Sequence, residues 1–182
     1  MYKINKLNAL LQQGRDTFHI QDLGLIWNIA NKNTLYTTIS RYKKRGYLYP
    51  IYKGFYAIKP FDKLHPWEVG TKATHQFAYI SCETILSQKG IINLIPSHIT
   101  INSMHSKLID IGGQPYKIRQ LKEEYLYHSV GVIHDKGFAY ALPERAVADM
   151  LYFNPTMHFD APIDWKKIRH LQNEIGYPET KR

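Results

Sequence analysis

The chain has a single cysteine, Cys82, in 182 residues. That excludes an intramolecular disulfide and any multi-cysteine zinc site, and it suits a reducing compartment. Long hydrophobic runs are also missing. No segment approaches the roughly 18 apolar residues of a membrane helix, and residues 1–13 lack the continuous apolar stretch of a signal peptide. A cytoplasmic protein with no membrane partner is therefore expected. Acidic residues are scarce in one region above all. Residues 1–59 contain only Asp16 and Asp22 against ten lysines and arginines, whereas residues 60–182 carry 13 acids against 14 cations. The formal net charge of +9 thus resides almost wholly in the first third. A positive field confined in this way suits neutralisation of a nucleic-acid polyanion, which attracts cations whatever its base sequence.

Catalytic signatures are absent as well. There is no P-loop, no Gly-x-Gly-x-x-Gly fingerprint and no Gly-x-Ser-x-Gly elbow. The nine histidines never fall at the i, i+4 spacing of a helical zinc pair. Glu144, Asp149 and His158 invite comparison with a nuclease or metal site. Five residues of separation, however, place the two carboxylates more than about 100° apart around a helix, so they do not converge. Cys82 beside Glu83 reads as a packed small hydrophobe. No catalytic residue, metal ligand or cofactor is assigned, and an enzyme is not expected.

What is present begins with three short helices. Ile4, Leu7, Leu10 and Leu11 form an apolar stripe that Gly14 can end. Thr17–Ile20 is β-prone, and Asp22 can cap a second helix carrying Leu23, Leu25, Ile26 and Ile29. The Asn31-Lys32-Asn33 segment breaks it, and Asn33 can cap a third helix from Thr34 to Arg45 that stops at Gly46. On that helix Leu35, Ile39 and Tyr42 share an apolar face, and Asn33, Thr37, Ser40, Arg41 and Lys44 fall opposite. Arginine can reach guanine bidentately, asparagine can pair with adenine, and hydroxyls and lysine position the backbone. A merely solvated face is the competing reading. Residues 47–52 and 55–58 are then strand-like around Lys53-Gly54, a tight hairpin turn in which glycine supplies positive φ. A basic-tipped hairpin after a basic third helix is a wing, which places Lys53 on phosphate. The tyrosines here offer a stacking platform for single strands or, in the other reading, pack the hairpin onto the helices.

The run from Phe18 to Ile58, with Asp22-Leu23, residues 40–48 and residues 53–57, resembles the N-terminal winged helix of AbiEi-type antitoxins. Two further segments, Tyr79–Leu86 and Leu142–Asp149, are similar to motifs of that family's C-terminal portion. The resemblance implies a transcriptional regulator of a type IV toxin-antitoxin system linked to abortive phage resistance. On that footing the N-terminal domain binds double-stranded operator DNA at inverted repeats, with pairs of protomers, and represses its own operon. The C-terminal domain would help counter a nucleotidyltransferase toxin.

Pro60, Asp62 and Pro66 mark a boundary, so the expected fold class is α+β: a winged helix-turn-helix domain at 1–59 and a mixed α+β domain at 60–182. Expected in the latter are helices starting near Pro66, at 81–88, at 143–153 behind Pro143, and at 165–175. Strands are expected at 98–102, 108–111, 116–121, 127–133 and 137–141, with turns at Gly112-Gly113 and Asp135-Lys136-Gly137. Arg145 can cross to a carboxylate on a neighbouring element. Lys166, Lys167, Arg169 and His170 form either a phosphate patch or a solvated face. The function expected is DNA-binding transcription regulation, with Asn33, Thr37, Ser40, Arg41, Lys44 and Lys53 at the contact. The alternatives are a protein-interaction module that uses the same fold to dock a partner, and an enzyme acting on nucleic acid.

Overall fold

A computed structural model of the protein describes residues 5–180. The chain divides into two compact units, residues 1–73 and 74–182, and together they make a mixed α+β protein. No helix among the described residues is long and apolar enough to cross a membrane.

The first unit runs α1 (Lys6–Leu11), β1 (Thr17–His19), α2 (Ile20–Ile26), α3 (Lys32–Lys44), β2 (Tyr49–Tyr52), β3 (Phe55–Ala57), a 3₁₀ turn at Phe61–Lys63 and α4 (Pro66–Lys72). Ile4, expected in the first helix, lies outside the described residues. The three strands form an antiparallel sheet in the order β1-β3-β2. Leu10, Phe18, Leu23, Trp27, Leu35, Ile39 and Leu48 make one buried cluster, so each helix and the sheet hold the others in place. Gly24 allows α2 to approach α3: a Cβ there would lie 3.3 Å from Leu35 Cδ2. Trp27 belongs to the same cluster, its ring tilted against Tyr42 at 5.1 Å and its indole N–H donated to the Lys6 carbonyl at 3.0 Å.

Two caps differ from expectation. The third helix starts at Lys32 with Asn31 as its cap, whose Oδ1 accepts from Thr34 N at 3.0 Å. Asn33 therefore sits within the first turn. The second helix starts at Ile20, two residues before Asp22, which lies in the first turn and takes the His19 N–H at 3.0 Å. At α3 two asparagines of equal capping ability stand close together and the turn geometry picks Asn31, whereas at α2 the N-cap position is His19 and Asp22 caps it from three residues on.

The division between the units also falls later than Pro60. Glu68 of α4 is buried, and its Oε1 accepts from Asp16 N at 2.8 Å, Thr17 N at 2.7 Å and Thr17 Oγ1 at 2.7 Å. His19 and the Lys72 carbonyl add a bond of 2.7 Å. These bonds tie α4 to β1, so residues 60–73 go with the first unit.

The second unit comprises β4 (Tyr79–Ile80), α5 (Glu83–Gln88), β5 (Ile99–Ser103), β6 (Lys107–Ile111), β7 (Gln114–Gln120), α6 (Glu123–Leu126), β8 (Val132–Asp135), β9 (Phe138–Ala141), α7 (Pro143–Phe153) and α8 (Trp165–Ile175). Its six strands form a mixed sheet in the order β6-β7-β5-β4-β9-β8. The pairs β4–β9 and β5–β7 are parallel, and the other three are antiparallel. The expected strand at 127–133 is loop up to Gly131, following the α6 turn that ends at Leu126, and pairing begins only at Val132. The helix expected from Ser81 starts at Glu83, because the two-residue strand β4 occupies the centre of the sheet and Cys82 turns the chain with φ 51°.

Beneath α7 lies a closed polar knot. All five N–H groups of the fully buried Arg145 find acceptors: Asp149 Oδ1 (2.8 Å), the carbonyls of His128 and Val130 (both 2.9 Å), and Tyr79 Oη and the Tyr125 carbonyl (both 2.8 Å). Arg145 thus pairs within its own helix, at i, i+4, and not with a carboxylate of a neighbouring element. Asp149 in turn accepts from Ser81 Oγ (2.6 Å), Tyr177 Oη (2.6 Å), Tyr79 Oη (3.0 Å) and Asn102 Nδ2 (3.0 Å). A buried charge pair satisfied to this degree specifies one packing of the core, since an incomplete one would be strongly unfavourable. The knot collects the hydroxyls and carboxylate of an active site, yet Arg145, Asp149, Tyr79, Ser81 and Asn102 have no solvent exposure. Cys82 beside it is also fully buried, and burial first, then Asp149, pushes its thiol well above the ordinary range, away from the nucleophilic thiolate.

Candidate nucleic-acid interface

The exposed face of α3 is built by the burial of its other side. Leu35, Thr38 and Ile39 are buried and Tyr42 is half-buried, so the helix cannot rotate without losing its core contacts. About 100° per residue then carries Asn33, Thr37, Ser40 and Lys44 to the opposite side, with Arg41 on its flank. All five are exposed. The Thr37 hydroxyl donates to the Asn33 carbonyl at 2.8 Å, which leaves its oxygen free to accept.

Lys53 is exposed at the tip of the β2–β3 hairpin, where Gly54 takes φ 84°. The tip is pinned: the Gly54 carbonyl accepts from Ile20 N at 2.9 Å, and His19 stacks on Phe55 at 4.4 Å. Phe55 is buried and Tyr52 and Tyr47 are more than a third exposed, so the aromatic residues divide between packing and surface.

Electrostatics sharpen this surface. Asp16 pairs with Lys59 at 2.8 Å and Asp22 with Arg15 at 3.2 Å. The only two acids of residues 1–59 are thereby engaged by cations of neither α3 nor the hairpin tip. Among the described residues no carboxylate pairs with Lys32, Arg41, Lys43, Lys44, Arg45 or Lys53. Lys32, Lys43 and Arg45 thus join the six residues expected from the sequence. Their signal was the charge run itself, which a search for one helical face sets aside because these three lie toward its edges. Tyr36, 57% exposed, is a further addition that lies off the apolar face of Leu35, Ile39 and Tyr42.

This arrangement offers fixed donors and positive charge on a helix roughly as wide as the major groove, with a separate cation on a rigid hairpin. In the second unit, Lys167 lies 3.9 Å from Asp164, and Lys166 and His170 are exposed. No protein-family model matches the chain, and no curated protein sequence matches it.

Proposed function

We propose that the protein is a DNA-binding transcriptional regulator whose first unit works as a winged helix-turn-helix. The observation that carries this reading is the set of six exposed cations on α3, its C-cap Arg45 and the hairpin tip that pair with no carboxylate among the described residues. The order of elements supports it: helix, strand, two helices, then a hairpin that closes a three-stranded sheet. On this reading α3 enters the major groove. Asn33 and Arg41 meet base edges, while Thr37, Ser40 and Lys44 set the register and Lys53 holds phosphate from the wing. The work done is binding, not catalysis.

The resemblance of Phe18–Ile58, Tyr79–Leu86 and Leu142–Asp149 to AbiEi-type antitoxins extends the proposal. The protein would act in the cytoplasm, pair its protomers on inverted repeats of its own operator, repress that operon, and counter a nucleotidyltransferase toxin through the second unit.

The deciding experiment is a fluorescence-anisotropy titration of the full chain against its own promoter and a scrambled duplex. Arg41→Ala should shrink the preference for the promoter by about 1–3 kcal/mol, while Lys53→Ala should weaken both duplexes alike. Equal, sequence-blind losses from both substitutions would refute the division of roles, and absence of any salt-dependent binding would refute the DNA reading. Co-expression with a nucleotidyltransferase encoded next to it tests the antitoxin part, which fails if growth is not restored.

A further inference from the structure

One flank of α3 carries a strip that belongs neither to the core nor to the outward face. At about 100° per residue, Lys32, Tyr36 and Lys43 fall within about 40° of one another, between the buried Ile39 and the outward Asn33 and Ser40. With about 1.5 Å of rise per residue, the strip is about 16 Å long. All three residues are exposed, and neither lysine pairs with a carboxylate among the described residues. Tyr36 is 57% exposed, so its ring adds little to a core that this helix meets through Leu35, Ile39 and Tyr42.

The sheet brings a second phenol to the same flank. Tyr56 of β3 stands opposite Phe18 of β1, so the two share a sheet face, and Phe18 lies in the buried cluster with Leu35 and Ile39 of α3. Tyr56 packs against that cluster and is itself half-buried. Burial first, and then the neighbouring Tyr36, raises the Tyr56 phenol above its ordinary value, so it keeps its proton near neutral pH and remains a donor. Among the described residues neither phenol oxygen has a hydrogen-bond partner, although both rings are held by the elements that carry them.

Two unpaired lysines and two uncharged hydroxyl donors along one helix flank suit the backbone of a nucleic-acid strand, to which lysine and tyrosine both bond through phosphate oxygens. We infer that one strand of the bound duplex runs along this flank, with the Tyr36 and Tyr56 hydroxyls donating to its phosphates and Lys32 and Lys43 neutralising them. Asn33, next to the strip on the outward side, then enters the groove beside that strand. The inference rests on the DNA-binding reading of the first unit and deepens it, adding two uncharged residues that a search for cations passes over.

Anisotropy titrations of the full chain against its own promoter and a scrambled duplex, at several salt concentrations, test it with Tyr36→Phe and Tyr56→Phe. Both substitutions keep the ring and remove only the hydroxyl. Each should weaken the two duplexes alike by about tenfold, the effect of losing one hydrogen bond to a charged group. Neither should change the log–log salt slope, because a neutral phenol displaces no counterion, whereas Lys43→Ala should make that slope shallower by about 0.9. The thermal midpoints of both tyrosine variants should equal the parent's. Three results would overturn the inference: affinities equal to the parent's, a loss confined to the promoter, which would put the phenols on base edges, or a loss that tracks a lowered midpoint, which would make them packing residues. A parent chain that binds neither duplex in a salt-dependent way would sink the DNA reading itself, and this inference with it.

Discussion

Removing Lys44 and Lys53 together tests the electrostatic reading quantitatively. Among the described residues no carboxylate pairs with Lys32, Arg41, Lys43, Lys44, Arg45 or Lys53, the six cations of α3, its C-terminal end and the hairpin tip. If about three to five of them neutralise phosphates, the affinity for duplex DNA falls with salt at a log–log slope of about −3 to −4.5, from about −0.9 per phosphate. With four phosphates the slope is about −3.6, and raising salt from about 50 to about 200 mM weakens binding about 150-fold. The Lys44→Ala, Lys53→Ala variant loses two of those contacts. Its slope should be about −1.8, and the same salt change should weaken it only about 12-fold. Lys59→Ala is the internal control, because Lys59 is held by Asp16 at 2.8 Å and should leave the slope unchanged. Anisotropy titrations of a labelled promoter duplex at several salt concentrations give all three slopes. A double variant within about 0.5 of the parent slope, or a Lys59→Ala effect equal to that of Lys53→Ala, would refute the reasoning.

Arg145→Leu leaves the Asp149 carboxylate buried without its cation and takes the donor from three backbone carbonyls, so the second unit should lose about 3–5 kcal/mol. Urea unfolding followed by circular dichroism measures this, and a loss below about 1 kcal/mol would contradict the account of the knot. Gly24→Val forces a branched side chain against Leu35, where even a Cβ would sit at 3.3 Å. The first unit should lose about 1–3 kcal/mol, detected as faster amide exchange along α3, and exchange rates equal to the parent would show that α2 and α3 are not closely packed there.

How far the fold was legible depends on the range of the forces at each position. The helices 143–153 and 165–175 and the Lys53-Gly54 hairpin are written locally, in Pro143 at a first helical position, in 3.6-residue apolar spacing and in a turn glycine. Asn31 and Asn33 are both competent caps within three residues, so the boundary could not be read to the residue. The strand at Tyr79–Ile80 has only two residues and exists because β5 and β9 flank it, which no local pattern announces. Of the polar knot, sequence reasoning reaches only Arg145, and it expects the carboxylate on a neighbouring element where the structure has Asp149 at i, i+4. Its other members, Tyr79, Ser81, Asn102 and Tyr177, come from distant parts of the chain. At the proposed interface, helical periodicity gave the exposed face of α3, and the pairing of Asp16 and Asp22 away from it emerged only with the fold.

The carboxylate of Glu68 bears on where this protein can be divided. A fragment cut after Lys59, at the prolines that look like a natural seam, would strip the amides of Asp16 and Thr17 and the Thr17 hydroxyl of their common acceptor, at the strand that edges the hairpin. Extending the cut to Ala73 keeps that acceptor in place, so the shortest piece able to hold the hairpin as the whole chain does is longer than its charge pattern suggests.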